Sequence, residues 1–327
     1  MFKHFKTLHP LWLQLLSLLV LTLGVSGKSL RLNQIQIIGT HNSYHLRPAE
    51  EVLHSARGQS LDYGHAPLYD QLDAGVRSFA IDIYNTNGAF PVLHIPEIDD
   101  RSSCQTLKEC LGEILKWSNS NADHIPLIIF IEVKNLKEPR GELIPMTVDD
   151  LETLEDQLWQ LIGEGNLITP DEIRGSYSSL EQAILTRGWP FVETLRGRMM
   201  LVLNAPSHLQ SYYADDSPSL SGRAMFVKVD PGNPQAAVVV TKDPSSKQTA
   251  DWIDKGYLVR ARADIGVKEA VAKDVSKRDA AFSNGCHIIT TDFPSITPHP
   301  QTGYQVALPN NDPWRPNPMT AQSQESH

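Results

Sequence analysis

One stretch restricts the fold more than any other. Residues 126–134 (PLIIFIEVK) are almost entirely apolar, which is typical of a strand buried on both faces of a parallel sheet. Glu132 interrupts the run near its carboxyl end. A buried carboxylate is costly unless it is paired or bound to a metal ion. The stretch therefore predicts a parallel sheet with a paired or functional acid at one strand end.

Similar apolar segments recur along the chain and alternate with amphipathic helical patterns, at a spacing that predicts an α/β barrel. No internal repeat is found. We expect strands at 35–38, 76–84, 126–134, 198–203, 224–229, 258–262 and 286–292, and helices at 67–73, 107–118, 148–162, 180–185, 248–255 and 267–283. Residues 236–241 form either a further strand or an irregular connection.

The first 27 residues have the pattern of a secretory signal peptide. Lys3 and Lys6 give a weakly basic start, residues 11–25 are apolar, and the small residues Ser26 and Gly27 follow. The apolar run is shorter than the roughly 20 residues that span a bilayer. We expect cleavage near Gly27 and a secreted protein, with an uncleaved N-terminal anchor as the alternative.

The remaining chain divides into a barrel, residues 28–297, and a tail, residues 298–327. The tail is rich in proline, asparagine, glutamine and serine, so we expect it to be irregular and partly disordered. A barrel of this length lies within the single-domain range of α/β barrels.

The cysteines and the net charge restrict the class of protein further. In an exported chain, Cys104 and Cys110 are close enough to form a local disulfide, which leaves Cys286 as a buried thiol. The net charge of −9 and the absence of basic runs argue against a nucleic-acid partner. The same charge gives no general attraction to anionic lipid, so any peripheral membrane contact would be local.

Polar residues lie at or just after the carboxyl ends of early strands: His41, Asn42, Asp82 and Glu132, with His94 in the next connection. In one barrel these side chains would converge at one end, where such barrels place their chemistry. Carboxylates and a carboxamide are suitable ligands for Ca²⁺ or Mg²⁺, and histidines titrate near neutral pH. The set therefore favours displacement at phosphorus with acid–base catalysis and a cation.

Structural alternatives exist for each of these residues. The two histidines are also compatible with packed or hydrogen-bonding structural roles. Asp82 has an alternative as the ion-pair partner of Arg260 or Arg262. Glu132 has an alternative as the partner of Lys134, because residues two apart share one face of a strand.

A longer series of short motifs carries a resemblance. They occur in order over most of residues 33–295, and the series is specific although each motif alone is weak. On these motifs the chain resembles the calcium-dependent, bacterial- and fungal-type phosphatidylinositol-specific phospholipase C family. The motifs are at 39–44, 75–82, 92–94, 103–104, 110–111, 126–134, 167–171, 188–190, 195–198, 259–264 and 291–294.

The resemblance implies a distorted TIM (β/α)8 barrel that cleaves phosphatidylinositol to diacylglycerol and an inositol cyclic phosphate. It implies His41 as the base and His94 as the acid. Lys134 and Arg260 are candidates for a phosphate contact, with a solvated or ion-paired strand-end cation as the alternative for each.

The resemblance also implies Asn42, Asp82 and Glu132 as Ca²⁺ ligands, with one departure. Family members usually carry a glutamate where this chain has Ala80. Because Ca²⁺ prefers six to eight oxygen ligands, we expect weaker binding here. Glu97, Asp99 and Asp100, in the loop after His94, are candidates to compensate.

Two other functions remain as alternatives. One is a phosphodiesterase on the same barrel that acts on glycerophosphodiesters or sphingolipids. Such a site normally has more carboxylates around its metal ion, and the alanine at position 80 argues against this alternative. The other is a barrel that binds inositol lipid without catalysis.

Overall fold

The computed structural model describes residues 29–55, 58–215 and 220–321. The expected signal peptide lies outside these residues, as do the last six residues of the tail. None of the helices in the described part has the length and apolar character that a membrane span requires.

The strands form one curved sheet, parallel except at its last strand. They are β1 (Ile35–Thr40), β2 (Ser78–Ile83), β3 (Leu127–Val133), β4 (Leu167–Ile168), β5 (Met199–Asn204), β6 (Met225–Val227), β7 (Val238–Thr241), β8 (Leu258–Arg262), β9 (Ile288–Thr291) and β10 (Arg315–Pro316).

The parallel strands close into a ring. Neighbours follow the order β6-β5-β3-β2-β1-β9-β8-β7, and one parallel bridge between Lys228 and Val238 joins β6 to β7. The two-residue strand β4 lies outside the ring, paired to the start of β5. This arrangement is a distorted α/β barrel, as expected.

Helices connect most of the strands and cover the ring. Their starts follow from the sequence: Thr106 and Thr147 each accept a hydrogen bond from the backbone of the first helical turn. The helices are α1 (Glu50–Leu53), α2 (Leu68–Asp73), α3 (Leu107–Ser120), α4 (Val148–Ile162), α5 (Pro170–Arg174), α6 (Leu180–Thr186), α7 (Ser207–Tyr213), α8 (Lys247–Asp254), α9 (Lys268–Ala272) and α10 (Ser276–Ser283).

The apolar run that restricted the fold most is the central strand β3. Every residue of β3 except Glu132 is buried; β2 pairs with residues 128–133 of this strand and β5 with residues 127–132. The prediction of a strand buried on both faces is confirmed.

The expected single helix at 267–283 is wrong. The structure has two helices there, α9 and α10, and Lys273 between them adopts a left-handed conformation with φ of 54°. An α-helix cannot continue through such a residue.

The segment after Pro298 has mostly irregular backbone, but its described part packs on the barrel. Strand β10 pairs antiparallel with β1. The side chains of Tyr304, Val306 and Leu308 are buried in an apolar cluster with residues of β8 and β9. Residues 304–317 therefore extend the core.

Candidate functional site

Three polar side chains lie side by side at the carboxyl ends of adjacent strands. Asp82 of β2 is in register with Glu132 of β3, which is in register with Asn204 of β5. The Asn204 amide donates a 2.8 Å hydrogen bond to Glu132 Oε2. The structure therefore brings the two predicted carboxylates together and adds the carboxamide of Asn204, which directly follows the strand predicted at 198–203 and was not among the predicted site residues.

Lys134 supplies the positive charge for this pair. Its Nζ is 3.0 Å from Asp82 Oδ2 and 3.5 Å from Glu132 Oε1. Burial is the largest influence on both carboxyl groups; it raises the pKa of Asp82, whereas Lys134 brings the pKa of Glu132 below its usual value. The alternative ion pair of Asp82 with an arginine is wrong, and that of Glu132 with Lys134 is confirmed.

His41 follows β1 and is oriented by a carboxylate. Its Nδ1 is 2.9 Å from Asp292 Oδ1, and Arg262 donates a 2.8 Å hydrogen bond to Asp292 Oδ2. Burial, followed by the charge of Arg262, lowers the pKa of His41 to about 3. Because Asp292 is negative and can only accept, we assign the proton of neutral His41 to Nδ1, which leaves Nε2 as a base.

His94 has a similar arrangement with a different acid. Its Nδ1 is 2.7 Å from Asp99 Oδ2, and the side chain of His94 is 19% exposed. His45 Nε2 is 2.8 Å from both oxygens of the same carboxylate. Asp99 thus contacts two imidazoles, so its expected availability as a replacement Ca²⁺ ligand is not supported.

Electrostatic interactions connect these groups across the carboxyl ends of the strands. Asp82 interacts with His94, and Glu132 interacts with His41. The histidines and the paired carboxylates therefore belong to one site, referred to here as the barrel mouth.

Asn42 adopts a left-handed backbone conformation, with φ of 47°. Its side chain is buried, and its amide nitrogen donates a 3.0 Å hydrogen bond to the Tyr63 hydroxyl. With the amide nitrogen on Tyr63, the amide oxygen is the atom that could coordinate a cation.

Arg260 lies inside the ring. Its guanidinium carbon is 4.2 Å from the centre of the Phe130 ring, on a strand that is not adjacent to β8. Burial, followed by the charge of Arg262, lowers the pKa of Arg260 to about 10. Among residues 29–55, 58–215 and 220–321, Nε of Arg260 has no hydrogen-bond partner.

The donor set fits a divalent cation, but with few ligands. Two adjacent carboxylates already bridged by one ammonium form a site that requires positive charge. Ala80 is two residues before Asp82 in β2 and offers no oxygen from its side chain. Of the candidates to compensate, Glu97 is largely exposed near Arg140, and Asp100 is exposed. Water would have to complete a coordination shell of six to eight oxygens.

A cleft of about 360 Å³ lies beside the paired carboxylates. It is lined by Glu132, Lys134, Asn135, Asn204 and neighbouring backbone. A larger cavity of about 620 Å³ lies between α3 and α4 and includes none of the predicted site residues. The smaller cleft is the better candidate for a substrate because Glu132 and Lys134 line it.

The predicted disulfide joins Cys104 to Cys110, and Cys286 is a buried free thiol, as expected. Cys104 lies at the end of the loop that carries His94 and Asp99, and Cys110 lies in the first turns of α3. The disulfide therefore attaches this loop to a helix.

Sequence reasoning missed the two carboxylates that orient the histidines. Asp292 had a signal, because it directly follows the last strand and belongs to a motif of the resemblance. Asp99 was considered only as a metal ligand, and its partner His45 carried no signal beyond its closeness to His41.

Comparisons with known proteins agree with this geometry. A family model described as Phosphoinositide phospholipase C, Ca2+-dependent, matches residues 30–90 and 86–318. Comparison with curated proteins found no match.

Solved structures of calcium-dependent phospholipases C share the fold. A phosphoinositol-specific enzyme from the Gram-negative bacterium Pseudomonas sp. has 17% identity and a TM-score of 0.59 in its myoinositol complex, covering 88% of this chain and 96% of that one. A phosphatidylinositol-specific enzyme from Streptomyces antibioticus has 17% identity and a TM-score of 0.57, covering 80% and 94%.

The family model covers residues 30–90 and 86–318, which include nearly all of the barrel. The chain belongs to the Ca²⁺-dependent phosphoinositide phospholipase C family.

Proposed function

We propose that this protein is a secreted phosphodiesterase that cleaves phosphatidylinositol to diacylglycerol and an inositol cyclic phosphate. One observation carries the proposal: His41 and His94 each contact a buried carboxylate through Nδ1, which leaves both Nε2 atoms without a partner among the described residues and able to exchange protons with a substrate. A pair of imidazoles held in this way is what a displacement with one base and one acid requires.

In the proposed reaction, His41 Nε2 accepts the proton of the inositol 2-hydroxyl as its oxygen attacks phosphorus. The new bond from this oxygen to phosphorus forms while the bond from phosphorus to the glycerol oxygen breaks. His94, protonated at Nε2, donates its proton to that departing oxygen. The proton balance leaves His41 charged and His94 neutral, and exchange with water restores both.

The remaining residues hold charge. Asn42, Asp82 and Glu132 would hold Ca²⁺, which supplies electrostatic stabilisation of the phosphoryl oxygens when bound. Arg260 contributes a buried guanidinium. It contacts the face of the Phe130 ring, which uses none of its N–H groups as ordinary hydrogen-bond donors. Lys134 contributes an ammonium group beside the cleft. These two cations are the candidates for contact with the phosphate.

The proposed location is outside the cell. It rests on the signal-peptide pattern of residues 1–27 and on the disulfide, because disulfides persist in oxidising compartments. A lipid substrate implies peripheral contact with a membrane surface.

The close contact of Lys134 with both carboxylates also favours two alternatives in which the site binds Ca²⁺ weakly or has no catalytic activity. In one, Ca²⁺ contributes little and the histidines act largely without it. In the other, the barrel binds an inositol lipid without cleaving it. A phosphodiesterase that acts on glycerophosphodiesters or sphingolipids is the third alternative.

The test is turnover of phosphatidylinositol vesicles with added Ca²⁺ and with a chelator, followed by ³¹P NMR of the product. We expect a cyclic phosphodiester, which only attack by the inositol 2-hydroxyl produces. His41→Ala should abolish turnover while the protein still unfolds in one cooperative transition, whereas the exposed His54→Ala should behave as wild type. Binding without product would support the non-catalytic alternative, and a phosphomonoester product would support attack by water.

A further inference from the structure

The loop between β2 and α3 presents His94 and Asp99 together. The backbone N–H groups of His94 and Ile95 both donate to the Asp99 carbonyl, at 3.2 and 2.9 Å, and the Asp99 N–H donates to the Ile95 carbonyl at 2.8 Å. This compact turn holds the two side chains at the 2.7 Å separation of Nδ1 and Oδ2. The backbone hydrogen bonds of the turn therefore hold His94 and Asp99 close enough for their side chains to make this contact.

His45 holds the opposite side of the same carboxylate. Its side chain is fully buried, its Nε2 is 2.8 Å from both Asp99 oxygens, and its ring stacks on Tyr63 with centroids 4.3 Å apart. A backbone bridge between His45 and Ser102 attaches this contact to the end of the loop. Asp99 is thus held from two segments of the chain.

The two histidines differ in where a positive charge can be placed. Nδ1 of His45 is buried and has no hydrogen-bond partner within the described segments of the chain. Protonation there would bury an unpaired N–H, which is costly. His94 is partly exposed at the barrel mouth, so an added proton on its Nε2 can contact solvent or substrate. The geometry therefore favours a neutral His45 that donates to Asp99 through Nε2. Of the two histidines, His94 is the one that can carry a positive charge beside the Asp99 carboxylate.

We propose that Asp99 and His45 are positioning residues for His94. Asp99 fixes the Nδ1–H tautomer of His94 and stabilises its imidazolium, and His45 holds Asp99 in place as a neutral hydrogen-bond donor. This inference rests on the proposed function, because it assigns the groups that prepare the acid of that reaction.

Other charges near His94 are consistent with this assignment. Asp82 acts on His94 from β2, and Lys134 in turn neutralises part of the charge of Asp82. His45 approaches His94 edge-on, with centroids 6.1 Å apart. Asp99 is therefore the acid that contacts the His94 ring directly among the residues that the structure describes.

A metal ion is the competing explanation for this group. The nearest ligand atoms of His45, His94 and Asp99 all lie within 4.8 Å of one another. These atoms already form direct hydrogen bonds of 2.7 and 2.8 Å, which a metal ion would have to replace. Such an ion would also coordinate a ring nitrogen of His94. The test must therefore include a measurement of bound zinc.

The first test compares Asp99→Asn with Asp156→Asn, an exposed acid on α4 with no assigned role. In Asp99→Asn an amide nitrogen replaces one of the two acceptor oxygens and therefore faces an imidazole N–H, and the negative charge that stabilises the His94 imidazolium is lost. For phosphatidylinositol we expect kcat of Asp99→Asn to fall on the order of 10²-fold with KM nearly unchanged, as for loss of general-acid catalysis. Asp156→Asn should retain wild-type kcat and KM.

A second substrate separates positioning from structural damage. Inositol 4-nitrophenyl phosphodiester has a leaving group that departs without protonation, so the loss for Asp99→Asn should be less than about tenfold. His45→Gln retains a donor and should keep most activity, whereas His45→Phe should resemble Asp99→Asn. Equal losses on both substrates would overturn the proposal, as would unchanged kinetics for Asp99→Asn.

The third measurement does not depend on turnover. Two-bond ¹H–¹⁵N spectra distinguish the two neutral tautomers of histidine. We expect His94 as Nδ1–H and His45 as Nε2–H in the wild-type protein, with His94 losing its preference in Asp99→Ala. An unchanged His94 tautomer in that variant, or stoichiometric zinc that is lost from it, would overturn the proposal. A wild-type protein without turnover but with these tautomers would overturn the proposed function alone.

Discussion

The ammonium of Lys134 lies 3.0 Å from Asp82 and 3.5 Å from Glu132, which are the two carboxylates that the family resemblance assigns to Ca²⁺. A lysine held this closely neutralises part of the charge that would attract the metal ion. Ala80 in β2 also removes a possible third carboxylate. For both reasons we expect weaker Ca²⁺ binding here than at a site with three carboxylates and no nearby lysine.

Removal of this ammonium should therefore strengthen the cation site. In Lys134→Gln we expect the Ca²⁺ dissociation constant to fall at least about tenfold, because one unit charge at about 4 Å is worth several kcal/mol near a protein surface. Isothermal titration calorimetry with Ca²⁺ alone measures this change. The exposed Lys137→Gln is the matched control and should bind Ca²⁺ as the wild type does. Equal dissociation constants in all three proteins would place the cation elsewhere.

We expect Arg260 to lower the stability of the fold and to support catalytic activity. Its guanidinium is buried, contacts Phe130 and forms no ion pair within the part of the chain that the structure describes, so replacement by an uncharged chain of similar length removes an unfavourable desolvation. We expect Arg260→Met to raise the melting temperature while phosphatidylinositol turnover falls on the order of 10²-fold, as for loss of a donor to developing charge. Thermal unfolding and initial rates measure both effects.

Arg262→Met is the control for that experiment, because Arg262 is paired. It donates to Asp292 at 2.8 Å and also lies near Asp264. Its loss leaves buried carboxylates without their counter-charge, so the melting temperature should fall. If both arginine variants are destabilised to the same extent, the assignment of Arg260 as a free cation is wrong.

The strands were predictable because their apolar runs and turn residues are local signals. The polar residues at their carboxyl ends could be grouped once a barrel was assumed, and Glu132 with Lys134 could be paired from strand periodicity alone. The contact of Lys134 with Asp82 needed more, because it depends on the register of β2 against β3.

Other features had no local signal. Asp99 and His45 are separated by 54 positions along the chain, and only the folded loop brings them together. The break between α9 and α10 depends on a left-handed lysine, a conformation that helical periodicity does not report. Residues 304–317 lack strand or helix patterning, but they become part of the core by packing on β1, β8 and β9.

The disulfide should stabilise the loop that carries His94. Cys104 and Cys110 close a short ring of the chain, for which the loop-entropy model gives about 2 kcal/mol. A double Cys104→Ala, Cys110→Ala variant should therefore unfold at lower denaturant concentration and lose activity before it loses overall structure. Peptide mapping without reduction should find the two residues linked in the wild type, and free thiols at both positions would contradict the bond.

His287 should make the protein less stable in acid. It is buried at the start of β9, and its Nδ1 accepts a 3.0 Å hydrogen bond from the Val259 backbone N–H, so the ring must be neutral in the fold. Burial lowers its pKa to about 4, below the value of about 6.5 in an unfolded chain. The unfolded state therefore binds more protons between these values, and stability is full above about pH 6.5 and falls as the pH drops towards 4.

The variant His287→Asn isolates this contribution, because the asparagine oxygen can accept the same backbone hydrogen bond without titrating. Between about pH 7 and pH 4.5, the free energy of unfolding of the wild type should fall by roughly 2 to 3 kcal/mol more than that of the variant. Denaturant titrations at the two pH values measure the difference. His208 is exposed, so His208→Asn should lose stability with acid as the wild type does. A parallel loss in all three proteins would mean that the pKa of His287 is the same in the folded and unfolded states, against the hydrogen bond that it accepts from Val259.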